Sequence, residues 1–479
     1  MINKEFDSKL ENWIKDNKSR IIEKWIELCK IPSIKTDGTI GAPFGENCAK
    51  ALKYASEIFD SENISSQLYA ESGYALATYG SGKKKIGLFS HSDVVPVGED
   101  WLYTEPFEPI IKDGALICRG SEDNKSGIIA ALCITEFLRD NDIELKSTLQ
   151  TFIGSDEECG MQDLKNYLKE QVMPDVSIVP DADFPCSIGE KGIYHFWCES
   201  RDNFQDIISI SGGEAFNIVL DKVMTKITYS DCLCNELKKI LEGKNEFSLE
   251  ADNNTISILA KGIAKHASIP DGSVNAAYLT ADILCQCKNL SANDRTIMAK
   301  VRDILSSSYG KSLNVYHEDP YFGKTTTVNG MVETRGRKIA LSFDCRYGDS
   351  YSSESLEISC DETLDSKGFE VTYKDNREGF SIDKNSAIPV KFEEIYSEMT
   401  GENLKSVLMS GGTYARRLKN AFSIGTYIIR KDRTTPVFKM PDGHGGPHQC
   451  DEMIDIEGFF EAVRVLLQYI LACDEIINS

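Results

Sequence analysis

The chain has 479 residues, enough for two or three domains, and its 41% hydrophobic and 27% charged residues are the mixture of an ordinary folded protein. Its 53 Lys and Arg stand against 75 Asp and Glu, a formal charge of −22. A field of that sign repels phosphate backbones and anionic lipid, so neither nucleic acid nor a membrane surface is expected as a partner. No run of 18 apolar residues occurs and the N-terminus, MINKEFDSKLENWIKDNK, is polar throughout, so no signal peptide and a cytoplasmic location are expected. Fifteen cysteines lie scattered, with Cys232/Cys234 and Cys285/Cys287 the only close pairs, both in helix-like stretches. That spacing suits reduced core thiols, not a disulfide or zinc framework.

In chain order, apolar periodicity predicts a helix over 11–29, closed by Pro32, and another over 49–59. In KKKIGLFSHSDVVPVG a short apolar run over 86–89 stops at His91, as a buried strand of a parallel sheet does. A helix over 126–137 follows, then a strand in STLQTFIGSDEECG and a third strand unit in VSIVPDADFP, each with carboxylates just past its apolar run. Strand, acidic turn and helix alternate, which predicts α/β architecture. From 193 to about 380 the pattern changes to strands (255–260, 338–345, 369–373) and two helices (273–285, 293–308). A helix over 388–399, the turn SGGTYAR, the strand-like FSIGTYIIR and a helix over 456–470 then return to the first pattern. The expectation is one α/β domain with a mostly parallel central sheet, in two pieces (1–191 and 384–479), split by an inserted α+β domain (192–383).

Polar clusters stand at the predicted strand ends: His91-Ser92-Asp93, Arg119 to Lys125, Asp156-Glu157-Glu158, Asp181-Ala182-Asp183, and PDGHGGPHQCDE with His444 and His448. The C-terminal ends of parallel strands converge on one crevice. Several carboxylates and two imidazoles gathered there would repel unless cations sat among them, and this donor set without thiolate suits zinc, manganese or cobalt. Elsewhere the residues alone are less telling. His266 would cap the helix near Ser273 or satisfy a turn, Arg346 would pair on a strand surface, and His195 and His317 match no motif.

Taken in order, HSDVVPVGEDW, DGALICRGSEDNKSG, GSDEECG and PDADFP resemble the M20 family of two-metal aminoacylases, carboxypeptidases and dipeptidases. GGEAFN, AKHASIPDGSVNA, DCRYG and SGGTYAR extend the likeness, over nearly the whole chain, to its PepV-like (Xaa-His, Sapep-type) bacterial dipeptidase branch. The resemblance implies a catalytic α/β domain and a two-lobed lid. The insert of about 190 residues exceeds the roughly 110 of a single small lid, which suits one compact domain.

The resemblance further implies two divalent ions per chain, zinc first, with manganese or cobalt as alternatives. His91 and Asp181 would hold one, Glu158 and His448 the other, and Asp123 both, with the peptide bond after Asp123 often cis in that family. Asp93 would accept the other ring N–H of His91, and Glu157 would be the general base. His266 would stabilise the oxyanion. Arg346 would clamp the substrate's terminal carboxylate, with hydrogen bonds from Asn217 and the turn Gly411-Gly412-Thr413. His444 is left as an outer or substrate-facing residue. The expected function is dipeptide hydrolysis by a monomer, with an N-acyl-amino-acid deacylase or carboxypeptidase of the same family as the alternative. The sequence departs from the family at Asp123-Asn124-Lys125-Ser126-Gly127, where Asp-Asp-Lys-Gly-Pro is usual, and at Cys118, where Gly is usual.

Overall fold

A computed structural model of the chain describes residues 2–428, 440–441 and 443–479. The chain forms two compact units, Met1–Gly189 with Ile382–Ser479, and Glu190–Ser381. Among the described residues no helix is long and apolar enough to cross a membrane.

The first unit is built on a sheet of β1 (Ser65–Tyr69), β2 (Tyr74–Tyr79), β3 (Lys85–His91), β4 (Thr148–Gly154), β5 (Val176–Ala182), β6 (Ser187–Glu190) and β7 (Ala421–Gly425), in the order β1-β2-β4-β3-β5-β7-β6. Strands β4, β3, β5 and β7 run parallel. The remaining pairs, β1 with β2, β2 with β4 and β7 with β6, are antiparallel. The sheet is therefore mixed, which corrects the expectation of a mostly parallel one. The cause is the hairpin over 65–79, whose connection is too short for a crossover and so must reverse the chain; Gly73 turns it at φ 74°.

Both faces of the sheet are covered. Helices α1 (Lys4–Cys29), α2 (Glu46–Asp60), α3 (Lys125–Asp140), α4 (Gln162–Glu170), α5 (Ala387–Thr400) and α6 (Ile456–Ile477) belong to this unit. Ile86 and Leu88 of β3 join the core of α1, α3 and α6, where Trp13 meets Phe137 and the Trp25 ring lies 4.4 Å from Phe459. Phe89, on the opposite parity, stacks with Phe152 and meets Tyr167 of α4 edge-on. Alternation along a strand buried on both faces produces this division. Helix α1 starts seven residues before its predicted position because Asn3 caps it, accepting from the Phe6 N–H at 3.1 Å. The start of α3 comes close against β3: a Cβ at Gly127 would lie 2.5 Å from Ser90 Oγ and 2.7 Å from Asn124 Oδ1.

The second unit holds two larger antiparallel sheets over one continuous core, besides a short two-stranded one. One contains Gly192–Ser200, Lys338–Tyr347 and Phe369–Arg377; the other contains Ile207–Ser211, Lys222–Thr228, Phe247–Ala251 and Thr255–Lys261. All the cysteines are free and most are buried. Cys232 and Cys234 lie in the helix Asp231–Leu241, but the helix Ala276–Leu284 ends before Cys285 and Cys287, which corrects that placement.

Trp25 joins α1 to α6 in a site with no solvent exposure. Trp25→Ala should cost about 3–5 kcal/mol, as large-to-small changes in packed cores do. Denaturant unfolding followed by far-UV circular dichroism checks this, and a shift below 1 kcal/mol would mean α1 does not hold the unit together.

Candidate metal centre

Parallel pairing sets His91, the last residue of β3, opposite Gly154, the last of β4. The Asp156-Glu157-Glu158 triplet and Asp181, near the end of β5, therefore arrive beside it. Asp123 comes from the turn before α3, where Asp123–Asn124 is a cis peptide bond, and His448 from the segment before α6. His91 Nε2 lies 3.1 Å from Asp123 Oδ1 and 3.8 Å from Asp181 Oδ2. His448 Nε2 lies 3.0 Å from Asp123 Oδ2 and 3.3 Å from Glu158 Oε1. Asp123 thus stands between two imidazoles with one oxygen toward each. Donor atoms of His91, Asp123 and Glu158 all lie within 4.8 Å of one another, and so do those of His91, Glu157 and Asp181.

These residues suit divalent cations. His91 Nε2, Glu157 Oε1 and Glu158 Oε1 are buried without a hydrogen-bond partner, an arrangement that costs free energy unless something else binds them. His91 Nε2 is near Asp123, yet not in hydrogen-bonding geometry. Burial pushes Glu157 and Asp181 well above the usual carboxylate range, and Glu158 upward too. Burial acts on Asp123 in the same sense, but the His448 and His91 imidazoles outweigh it and hold that carboxyl well below. The nearby Asp123 carboxylate first, and then Glu158, push His448 up to about 11. Without an ion the imidazoles thus carry protons where a metal would sit.

Asp93 meets the other ring nitrogen of His91, chiefly through its backbone. His91 Nδ1 is 3.0 Å from the backbone carbonyl of Asp93 and 3.4 Å from its carboxylate, so the carbonyl is the nearer acceptor. The Asp93 carboxylate instead accepts from the backbone N–H groups of Glu157 and Glu158, at 3.2 and 3.1 Å. Sequence reading also missed Glu452, although it lies in the PDGHGGPHQCDE stretch. This fully buried carboxylate accepts from Arg119 Nη1 at 2.7 Å and from the N–H groups of Gly120, Glu122 and Asp123 at 2.9, 2.9 and 3.0 Å. It thereby shapes the turn that presents Asp123. Asn124 donates to Pro180 O and, at 3.1 Å, to Asp181 Oδ1, tying the two ligand loops together. His444 Nδ1 pairs with Asp451 at 2.6 Å, and Asp451 also takes the N–H groups of Leu102 and Tyr103. A carboxylate far along the chain that accepts backbone N–H groups leaves no local signature; only the clustering of acids after His448 hinted at it.

In the SGGTYAR turn, Arg416 Nη2 donates to Gly411 O at 3.2 Å, and a Cβ on Gly412 would lie 2.0 Å from that guanidinium. Thr413 is buried, and its hydroxyl meets Ser423 Oγ at 2.9 Å and accepts from the Ala415 N–H at 3.1 Å. In the second unit, Asn217 O accepts from the Ala267 N–H at 2.8 Å, so Asn217 and the exposed His266 are neighbours. His266 Nδ1 meets Ser268 Oγ at 2.7 Å. Arg346 is buried, with Nε and Nη2 donating to the two oxygens of Asp344 at 2.6 and 2.8 Å. Asp344 also pairs with His195 Nε2 at 3.0 Å.

A family model described as peptidase family M20/M25/M40 matches residues 87–472. A Staphylococcus aureus (strain bovine RF122 / ET3-1) protein provisionally named a dipeptidase is 27% identical over 481 residues, covering 95% of this chain and 97% of the relative. Among solved structures, human carnosine dipeptidase 1 aligns at a TM-score of 0.61 with 13% identity, covering 98% of this chain and 99% of that one. A di-peptidase from Saccharomyces cerevisiae aligns at 0.58 with 14% identity, covering 98% of each chain. At such identities these two show a shared fold.

Glu452→Ala should leave the Arg119 guanidinium buried without its partner and release three N–H groups. Breaking a buried pair from one side costs about 3–5 kcal/mol. The metal-free variant should unfold at a lower temperature and should retain less metal after dialysis, because the Asp123 turn loosens. Unchanged melting and unchanged metal retention together would remove Glu452 from this role.

Proposed function

Because the chain belongs to peptidase family M20/M25/M40, we propose that it is a metal-dependent dipeptidase that cleaves dipeptides with two divalent ions and Glu157 as general base. The observation that carries this reading is Asp123 between the His91 and His448 imidazoles, beside Glu157 and Glu158, each with a buried oxygen that makes no hydrogen bond. His91 and Asp181 would hold one ion, Glu158 and His448 the other, and Asp123 both; zinc, manganese or cobalt suits these donors. Such ions, when bound, polarise the scissile carbonyl and lower the pKa of water.

The remaining work falls to the chain's own side chains. Glu157 takes the proton of the attacking water and delivers it to the leaving amine. Its burial supports this role, since a carboxyl held above its ordinary range can carry a proton near neutral pH. Arg346 binds the terminal carboxylate of the dipeptide, and the Asp344 pair fixes the plane of its guanidinium. His266 donates to the oxyanion, and Asn217 with the backbone of Gly411 and Gly412 completes the carboxylate's hydrogen bonds. Carboxylate capture restricts the substrate to dipeptides, and the enlarged insert lets one subunit work alone as a cytoplasmic monomer.

Two experiments test the assignment. Glu157→Gln should lower kcat by about 10² to 10⁴, the usual contribution of a general base, while both ions stay bound; Glu158→Ala should lose metal as well. If Glu157→Gln keeps most of its activity or empties a site, the roles within the triplet are wrong. For Arg346, a charge-assisted contact is worth roughly 1.5–3 kcal/mol, about ten- to two-hundredfold. Arg346→Ala should lose at least that factor in kcat/KM on dipeptides with a free C-terminus and much less on amidated ones. Equal losses on both substrates would make Arg346 purely structural.

A further inference from the structure

Four consecutive backbone N–H groups in the loop after β4 point at two carboxylates. Ser155 and Asp156 donate to Asp163 Oδ2 at 2.7 and 2.9 Å, and Glu157 and Glu158 donate to Asp93 at 3.2 and 3.1 Å. Asp163 sits in the first turn of α4 with no solvent exposure. Its Oδ2 also accepts from the Tyr414 hydroxyl at 2.6 Å, and its Oδ1 from the Leu164 N–H at 2.6 Å. No intraprotein lysine or arginine is paired with it among the described residues.

We infer that Asp163 is a positioning residue for the general base: its carboxylate sets the backbone that presents Glu157, and it does so only while ionised. The inference rests on the reading of Glu157 as base. An ionised carboxylate only accepts, and all four groups facing its oxygens are donors. A proton on Oδ2 would confront the donors gathered there, and one on Oδ1 would leave Oδ2 a neutral, weaker acceptor, so protonation loosens the hold on the Ser155-Asp156 backbone. Glu157 follows directly on that backbone, and a misplacement of about 1 Å in a catalytic group can cost a hundredfold. Glu158 is two residues further on and is anchored through Asp93, so metal binding is insulated from the change.

The titratable groups facing Asp163 are Asp93 from the segment after β3, Asp156 from the loop itself and Tyr414 from the SGGTYAR turn. Burial first, and then the charge of Asp93, push Asp163 up to about 7, against the pull of the Tyr414 hydroxyl. The direction follows. A carboxyl with a raised pKa is ionised above about pH 7 and gains its proton as the pH falls through that value, so turnover should fail on the acid side.

The test follows kcat, KM and bound metal from pH 5 to 9 for the metal-loaded wild type, Asp163→Asn and Tyr414→Phe on one dipeptide. Asp163→Asn should lose roughly ten- to hundredfold in kcat at pH 8, the range found when a supporting hydrogen-bond partner is removed. Its KM should stay within about twofold and its metal content at the wild-type level, with the acid limb of kcat moved to lower pH because the titrating group is gone. Tyr414→Phe removes a bond that favours the ionised form, so its acid limb should move to higher pH. An acid limb at the wild-type position in Asp163→Asn, or a loss confined to KM or metal content, overturns the inference. If Asp163→Asn does not fold, Tyr414→Phe decides: an unmoved limb, or one moved to lower pH, overturns it. Failure of the underlying reading shows separately, as activity retained in Glu157→Gln.

Discussion

Crowding of negative charge in one buried crevice is the constraint on which the rest of this structure depends. Asp93, Asp123, Asp156, Glu157, Glu158, Asp163, Asp181 and Glu452 converge at the ends of β3, β4 and β5 and on the turn before α3. Six of them fall into two classes. Asp93, Asp163 and Glu452 each accept two or three backbone N–H groups, which favour the charged form and fix the chain around them. Glu157, Glu158 and Asp181 accept from no backbone N–H among the described residues, and burial raises all three. The first class builds the loops; the second is left in need of cations. A chain with a formal charge of −22 offers no surplus of its own to meet that need.

The loops are tied back to the body of the unit by buried cations. Lys125, at the start of α3, donates to Leu28 O at 3.1 Å and Ile31 O at 2.9 Å, so the C-terminal end of α1 holds the base of the Asp123 turn. Burial depresses the pKa of Lys125, and the charge of Glu452 is among the neighbours that act against it. Arg119 pairs with Glu452 on the other side of the same turn and lies over the Trp101 ring. The placement of Asp123 is therefore a consequence of packing among α1, α3 and the segment before α6, elements far apart in sequence.

Much of this was legible in the sequence where a local pattern carries it. The apolar runs that stop at His91, before Asp156 and at Asp181 marked strands whose ends meet, and β3, β4 and β5 lie there. The hairpin over 65–79 was not legible, since SSQLYAESGYALATY lacks an Asn-Gly turn and alternates weakly, and with it went the mixed character of the sheet. Glu452, Asp163 and the amide-binding side of Asp93 were also hidden, because a carboxylate that accepts backbone N–H groups looks in sequence like any surface acid. In the SGGTYAR turn nothing in the sequence signals that the Thr413 hydroxyl meets Ser423 on β7. For Arg346 the structure shows the ion pair that arginines on strands commonly make, with Asp344 of its own strand.

The roles proposed for the neighbouring residues Glu157 and Glu158 would need one scaffold to separate two kinds of work. Both are buried acids, and one residue, Asp93, holds both of their N–H groups. From that common anchor the side chains diverge: Glu158 reaches toward Asp123 and His448, and Glu157 groups with His91 and Asp181. Glu158 has an imidazole 3.3 Å from Oε1 to share charge with, which suits a ligand. Glu157 feels His91 only as a nearby charge while burial and three neighbouring carboxylates push it toward the protonated form, which suits a group that must gain and lose a proton. Chemical identity does not distinguish the two residues; the direction in which an anchored backbone releases each side chain does.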